Sequence, residues 1–372
     1  VPQRVVGVAC ALLSGFSLAL ALAVPGVLFL RNPQWLLGTV TMDAEVASKV
    51  TAYLGLLAWG LPASLFYRTF YAFCNALGKP RVLMGIGLGA LALHALLAWG
   101  LALQGWAGEP LGVIGCGLSN IIIAWLACLG GAAYLAFGPL GKRYRPFADW
   151  AAPDARRWRE LLHLGLPMGL SNLVEITSFT LISLFIASLG ATVVAGHRIV
   201  ANISALTYML PLSLAIATMA AVGQAVGGRD WARAHAAIKA GLLLAAMLST
   251  LVGLLLWLAA APLIAAYTDD PAVRAVAGGL IIYVALYQFF DALQTVAGHA
   301  LRAYRVTFVP MLVQTFCFWG VGLLGGSWLC YRWSPPLGVA GFWLASVISL
   351  VLAAGMLLPL LRKALQATES PP

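Results

Sequence analysis

The sequence predicts an all-α polytopic membrane protein with ten transmembrane helices. Of its 372 residues, 62% are hydrophobic and 9% are charged, whereas soluble domains carry about 45–50% apolar and about 25% charged residues. The apolar residues form ten runs, each meeting the roughly 20 residues that a membrane helix needs. The segments of about ten residues with alternating polarity that indicate a transmembrane barrel are absent from the sequence.

Ten spans follow from these runs, in chain order. They cover residues 5–30, 50–74, 82–104, 111–137, 161–189, 199–226, 240–265, 275–299, 307–329 and 337–361. The formal charges inside them are Arg68, Glu175 and Asp291. Because a chain in lipid must satisfy its own backbone hydrogen bonds, unbroken apolar runs with internal Gly and Pro indicate α-helices.

The loops alternate in their content of basic residues, with 16 Lys and Arg on one side and five on the other. The positive-inside rule therefore predicts that both termini and the 138–160 loop are cytoplasmic, in a cell inner membrane. This topology accounts for the net charge of +10, so a nucleic-acid partner is not expected.

The sequence carries no signature of enzyme chemistry. Its six cysteines are scattered, without the spacing of a metal site or a disulfide framework. Phosphate-binding glycine loops, paired metal-binding histidines and Ser/His/Asp arrangements are absent at useful spacing. We therefore expect neither an enzyme nor an organic cofactor.

An internal repeat predicts two lobes. Residues 75–81 resemble residues 299–305, and 110–115 resemble 336–341, at offsets of 224 and 226. The period holds six spans, so both halves share one orientation, and the full pattern is a twelve-helix, two-lobe bundle whose first two helices would precede Val1. The expected organisation is an N-terminal lobe (1–137), a cytoplasmic loop (138–160), a C-terminal lobe (161–363) and a tail (364–372).

Two intramembrane acids form the main candidate site. A carboxylate at mid-bilayer costs about 2.5–3.5 kcal/mol on insertion scales and faces the protein interior or a wet cavity. Glu175 shares a helix face with Asn172 and Phe179, and Asp291 shares one with Tyr287 and Gln288. No Lys or Arg stands at neighbouring helical spacing. The pair is thus a candidate cation site at which protons and metal cations compete, or alternatively two protonated acids that hold helices together.

Other polar groups each have two possible interpretations. Tyr208 either contacts a cation or packs, and Arg68 either functions or extends toward the cytoplasmic surface. Asp269 and Asp270 form either a solvated turn or an acidic patch that attracts cationic substrates. The histidines, His197 at a span end among them, are expected to be interfacial or packed.

A series of motifs resembles the multidrug and toxic compound extrusion (MATE) family, in its NorM-type branch. The motifs are Leu166-Pro167 through Glu175, 189–197, 209–214, Val222-Gly223-Gln224, 267–270, 287–294, 301–305 and Pro310-Met311. The resemblance implies two lobes facing a central cavity, and export of organic cations by alternating access, driven by Na⁺ or H⁺ entry.

The resemblance also implies roles for residues. Glu175 and Asp291 would be the coupling acids, with Tyr208 and Tyr287 as neighbours in the cation site. Asp269, Asp270, Phe179, Asn172 and Gln288 are the expected substrate contacts. The expected partners are small organic cations and the lipid bilayer, with the chain acting as a monomer.

Two alternatives remain open from the sequence. One is a non-transporting remnant of such an exporter, because the helix that carries the family's N-lobe acid does not occur in the chain. The other is a lipid-linked oligosaccharide flippase of related architecture. A flippase cavity would need Lys or Arg to hold pyrophosphate, and Arg68 alone is intramembrane.

Overall fold

The computed structural model describes residues 2–34, 43–106, 108–144 and 155–369. These residues form helices and short connections, without a β-strand among them. The chain divides into two compact units, Val1–Leu161 and Leu162–Pro372.

The described residues of unit 1 form four long helices and one short one. Their bounds are α1 (Pro2–Arg31), α2 (Ala44–Ala76), α3 (Pro80–Trp99, continued by a π-helical turn Gly100–Gln104), α4 (Val113–Phe137) and α5 (Pro139–Tyr144).

In unit 2, most of the described residues lie in long helices. They are α6 (Ala155–Ile186, ending in a 3₁₀ turn Ala187–Leu189), α7 (Ala191–Gly227), α8 (Trp231–Leu258), α9 (Ala260–Ala265), α10 (Pro271–Ala303), α11 (Phe308–Thr315), a π-helix Phe316–Gly325, α12 (Gly326–Tyr331) and α13 (Val339–Glu369). Within the described ranges, ten helices are long and apolar enough to cross a membrane. The predicted fold class is confirmed.

Several helices extend beyond the predicted spans. The expected 138–160 loop contains α5, which begins at Pro139 because proline fits the first helical position; residues 145–154 lie outside the described part. The expected tail is helical to Glu369, since Lys, Ala, Leu and Gln favour helix past the apolar run. Arg302 was expected in a loop but lies in the last turn of α10, where a basic side chain complements the helix dipole.

The repeat is visible in the backbone of the two units. Asp43 and Asp270 are both N-caps, accepting hydrogen bonds from the backbone amides of Glu45 and Ala272 at 3.0 and 2.8 Å. The helices that follow, α2 and α10, each have 33 residues.

The ends of these two helices correct the predicted correspondence. Gly78 (φ 66°) and Arg305 (φ 62°) occupy the same left-handed position after α2 and α10, which gives an offset of 227 instead of 224. Matching Leu77 to Leu301 by side-chain type was therefore wrong by three residues, because the glycine that this conformation favours is replaced by an arginine in unit 2. At an offset of 227 the counterpart of Asp291 in unit 1 is Ser64, whereas an offset of 224 would make it Tyr67.

Helix α10 is the central helix of unit 2, with 16 of its 33 residues buried. Two glycines let its neighbours approach closely. A Cβ on Gly253 of α8 would lie 2.8 Å from the Ala285 carbonyl oxygen, and one on Gly196 of α7 would lie 2.6 Å from Val276 Cγ1. Small residues at such crossings are typical of membrane helix packing. These close approaches fix the position of α10, which contributes residues to the cavity described below.

The π-helix Phe316–Gly325 is tied to two flanking helices through its carbonyl groups. Ser178 Oγ of α6 donates to Phe318 O at 3.1 Å, and Ser349 Oγ of α13 donates to Cys317 O at 2.8 Å. Carbonyls whose hydrogen-bond register is shifted by a π-helix are available to such donors. These bonds tie α6 and α13 to the π-helix.

Candidate cation-binding cavity

A cavity of about 350 Å³ lies inside unit 2. Residues of α6, α7, α10 and α13 line it, among them both candidate acids, Glu175 and Asp291. The helices are held in place by the close approaches at Gly196 and Gly253. The volume of the cavity falls within the range of about 300–1,000 Å³ that is typical of small-molecule sites.

The two acids come from different helices and act on one another electrostatically. Glu175 is half-buried on α6, and Asp291 is 2% exposed on α10. Tyr208, on α7, interacts with Glu175 and with Thr295. Because two carboxylates and two hydroxyls are hard oxygen donors, the cluster suits a hard cation or a proton.

Asp291 is held by a chain of amide side chains. Gln294 Nε2 donates to Asp291 Oδ1 at 3.0 Å and to Thr295 Oγ1 at 3.1 Å, and Gln314 Nε2 of α11 donates to Gln294 Oε1 at 3.4 Å. All of these side chains are buried. The carboxylate therefore has a fixed position in the cavity wall.

Aromatic rings form the wall beyond the acids. The Tyr287 ring makes edge contacts with Phe179 and Trp343, at centroid distances of 6.3 and 6.2 Å. All three residues line the cavity. Ring faces near carboxylates are favourable surroundings for an organic cation.

His197 and Ser183 also line the cavity. His197 Nε2 lies 3.2 Å from Ser183 Oγ, and the His197 ring packs against Trp343 at 5.8 Å. His197 was expected at a span end, but α7 begins at Ala191 and His197 is buried within it. The apolar run starts after Arg198, which concealed the first two turns of the helix.

Arg302 supplies a positive charge that the sequence reasoning overlooked. It acts electrostatically on Glu175 and Tyr208, and its Nη1 lies 3.5 Å from His299 Nε2. Arg302 follows Asp291 by eleven residues, which is three helical turns and so the same face of α10. That spacing was visible in the sequence, although the electrostatic interaction with Glu175 is between two helices.

The expected substrate residues separate into two groups. Phe179 lines the cavity, whereas Asn172 is exposed outside it. Gln288 is buried on another face, where its amide donates to Ser204 O at 3.3 Å and to the Thr207 hydroxyl. A face defined by spacing of three or four residues is wide enough to include neighbours that point away.

Asp269 and Asp270 lie in the turn before α10. Asp269 Oδ1 accepts from Arg274 Nη2 at 2.8 Å, and Asp270 caps the helix. Neither lines the cavity. In this structure both carboxylates organise the turn.

Trp343 and Gln314 are further site residues that the sequence reasoning missed. Trp343 lies in an apolar run of α13, and Gln314 lies in one of α11. A polar side chain in such a run does not indicate which neighbouring helix it will contact. The only signal was that a buried polar group needs a partner.

Comparisons with known proteins agree with this architecture. The MatE family model matches residues 3–99 and 167–328. A probable multidrug resistance protein NorM from Aromatoleum aromaticum is 50% identical over 372 residues, covering 99% of this chain and 80% of that protein. The multidrug resistance protein PmpM of Pseudomonas aeruginosa is 35% identical, covering 87% of this chain and 68% of that protein.

Two solved structures share the fold at low sequence identity. An outward-facing multidrug resistance MATE family transporter of the MOP superfamily superposes with a TM-score of 0.85 at 17% identity, over 98% of this chain and 84% of that one. The eukaryotic MATE transporter AtDTX14 gives 0.84 at 17% identity, over 98% and 82%.

Proposed function

The chain belongs to the MATE family of membrane transporters, and on that premise we propose that it exports organic cations in exchange for inward-moving Na⁺ or H⁺. The observation that carries the proposal is the cavity of unit 2, where Glu175 and Asp291 share one space with an aromatic wall. The names of the relatives, multidrug resistance proteins, support a broad range of drug-like substrates.

The proposed mechanism is competition for the same carboxylates. A substrate cation beside Glu175 and Asp291 stacks on Phe179 or Tyr287 and neutralises the acids. Na⁺ or a proton at the acids removes the negative charge that holds the substrate, which then leaves. Transport follows if the two occupants stabilise different conformations of the protein, because a ligand shifts an equilibrium only through its differential affinity.

The coupling ion is proposed to be monovalent, and Arg302 supports this. With all three groups ionised, two carboxylates and one guanidinium leave one net negative charge in the cluster. One Na⁺, one proton or one organic monocation balances it. The Tyr208 hydroxyl adds an oxygen ligand suited to Na⁺, while a proton needs only a carboxylate.

The location and assembly of the protein are part of the proposal. We place it in the bacterial inner membrane as a monomer, with both termini of this chain on the cytoplasmic side. The excess of basic residues in one set of loops supports that orientation.

Asp269, Asp270, Asn172 and Gln288 are not needed as substrate contacts, since they lie outside the cavity.

The test is transport by the purified chain in liposomes, with tetraphenylphosphonium as substrate and an imposed Na⁺ or pH gradient. We expect gradient-driven movement that Asp291→Asn and Glu175→Gln abolish. Asp269→Asn, which removes an acid outside the cavity, should leave it unchanged. Equal transport by Asp291→Asn and the unmodified protein would contradict the proposal.

A further inference from the structure

Helix α10 carries a row of polar side chains that begins at Asp291 and ends at Arg302. Asp291, Thr295, His299 and Arg302 follow one another at intervals of four, four and three residues, which places them on one face of the helix. Asp291 lines the cavity, whereas His299 and Arg302 are half-buried near the end of the helix. The proposed charge balance involves the carboxylate and the guanidinium of this row, but not the imidazole between them.

The hydrogen bond of His299 to the backbone determines which ring nitrogen carries the proton. His299 Nδ1 lies 2.8 Å from Thr295 O. A carbonyl oxygen can only accept, so Nδ1 is the donor. A neutral imidazole has a single N–H, and the lone pair that can accept a hydrogen bond is therefore on Nε2.

The lone pair of His299 Nε2 matches the guanidinium of Arg302, which has donors only. Arg302 Nη1 lies 3.5 Å from His299 Nε2, a contact in which the guanidinium N–H donates to the ring nitrogen. A protonated imidazole would instead place two N–H groups and two positive charges against each other. Both contacts of the ring are thus satisfied by the neutral form with its proton on Nδ1.

A neutral acceptor has a consequence that an acidic one would not have. A carboxylate in the place of His299 would hold the guanidinium and also cancel its charge. The neutral imidazole holds the guanidinium and leaves its positive charge to act on Glu175 and Tyr208. At the offset of 227, the residues of unit 1 that correspond to His299 and Arg302 are Ala72 and Asn75, so the pair occurs in the unit that contains the two acids.

We infer that His299 is a positioning residue, whose Nε2 holds the Arg302 guanidinium toward Glu175 and so sets the net charge that a cation meets in the cavity. Without this acceptor the guanidinium turns toward solvent at the end of α10, where Arg305 is exposed. The acids then keep more of their negative charge. This inference rests on the proposed binding of cations at Glu175 and Asp291, and it adds the residue that controls the charge balance of that site.

The test measures the Kd of tetraphenylphosphonium for the chain in nanodiscs, in Na⁺-free buffer at one alkaline pH. Arg302→Gln removes a positive charge near the site and should tighten binding about tenfold. His299→Leu removes the acceptor and should tighten binding about fivefold, because the released guanidinium spends only part of its time near Glu175. His299→Gln keeps a side-chain oxygen as acceptor and should restore the Kd to within about twofold of that of the unmodified protein.

A double variant shows whether His299 acts through Arg302. In His299→Leu/Arg302→Gln no guanidinium remains to be held, so the Kd should equal that of Arg302→Gln alone. A merely structural role of His299 would change the Kd by the same factor in both backgrounds. His163→Leu, which replaces an exposed histidine on α6, is the control and should leave the Kd unchanged.

A second measurement reports on the imidazole in the unmodified protein. Nitrogen NMR of the chain, labelled at its five histidines, distinguishes a protonated from an unprotonated ring nitrogen, and His299→Gln identifies the signals of His299. We expect a protonated Nδ1 and an unprotonated Nε2. The opposite tautomer would overturn the inference, because Nε2 would then have no lone pair for Arg302.

The outcomes separate this inference from the proposed function. If His299→Leu leaves the Kd unchanged, weakens binding, or acts equally with and without Arg302, then His299 does not position the guanidinium, while cation binding stands. Equal Kd values for Arg302→Gln and the unmodified protein would also overturn the inference, since the guanidinium would then contribute no charge to the site. If the unmodified protein does not bind tetraphenylphosphonium, the proposed function itself fails.

Discussion

Helices α2 and α10 occupy equivalent places in the repeat and differ in what they bury. Both have 33 residues, begin at an aspartate N-cap and end before a left-handed residue. Helix α10 buries Asp291 and three polar neighbours, Gln288, Gln294 and Thr295. The buried residues of α2 are Ala58, Gly60, Ala63, Phe70 and Cys74.

The difference teaches that the scaffold and the chemistry are specified separately. Caps and close approaches recur in both units, because each helix must start, stop and pack in the same way. The ionisable cluster occurs where α10 adds a polar face, and Ser64 stands at the corresponding position of α2. Function here depends on the site placed on the fold rather than on the fold itself.

The largest effect should come from substitutions at this pair of equivalent positions, Asp291 and Ser64. Asp291→Asn should weaken cation binding by about 100-fold or more, because the neutral amide cannot balance a buried positive charge. Ser64→Ala should leave binding unchanged, since its hydroxyl bonds only the Gly60 carbonyl of its own helix among the described residues. Equilibrium binding of tetraphenylphosphonium measures both, and equal losses would show that the two helices are not functionally different.

A smaller effect is expected from two equivalent glycines. A Cβ on Gly253 would lie 2.8 Å from the Ala285 backbone oxygen, whereas one on Gly26 would meet the flexible end of the Leu61 side chain. Gly253→Ala should lower the free energy of unfolding by about 2 kcal/mol, and Gly26→Ala by less, because a side chain can move and a backbone cannot. Thermal unfolding in one detergent gives the order, and a larger loss for Gly26→Ala would reverse it.

The charge on Arg302 should set how many monovalent ions bind. In Arg302→Gln the two carboxylates keep two negative charges, so the number of Na⁺ ions or protons bound per chain, measured by titration calorimetry, should rise from about one toward two. Asn75→Gln, at the equivalent position in the last turn of α2, is the control. An unchanged number of bound ions with normal affinity would show that Arg302 is not part of the charge balance.

The smallest effect concerns the residues that follow the two helices. Arg305 has a left-handed backbone at φ 62°, where unit 1 has Gly78 at φ 66°. Arg305→Gly should stabilise the protein by up to about 1 kcal/mol, and Gly78→Ala should destabilise it by a similar amount. Unfolding curves test the pair, and destabilisation by Arg305→Gly would mean that the arginine side chain matters more than backbone strain.

The sequence predicted the ten spans and the two acids, because both signals are local. Run length defines a membrane helix, and a carboxylate within such a run requires a partner or a cavity. Phe179 and Tyr287 line the same cavity as the acids, as helical spacing indicated, and Tyr208 lines it too, as the family resemblance implied.

What the sequence did not predict depends on contacts between helices. Trp343, Gln314 and His197 are side chains whose contacts lie on other helices, and periodicity does not identify the neighbouring helix. Arg302 was assigned to a loop because charge ended the apolar run before the helix ended. The repeat offset was misjudged where Arg305 replaces a glycine, since side-chain similarity outweighed the backbone conformation.

The central claim is that the coupling ion and the organic cation exclude one another at Glu175 and Asp291. The most direct measurement is the apparent Kd of tetraphenylphosphonium for the chain in nanodiscs, determined at increasing Na⁺ with K⁺ keeping ionic strength constant, and again at decreasing pH. We predict an apparent Kd that rises linearly with the concentration of Na⁺ or of protons, and a loss of that dependence in Asp291→Asn. A Kd unaffected by both ions in the unmodified protein would contradict the claim.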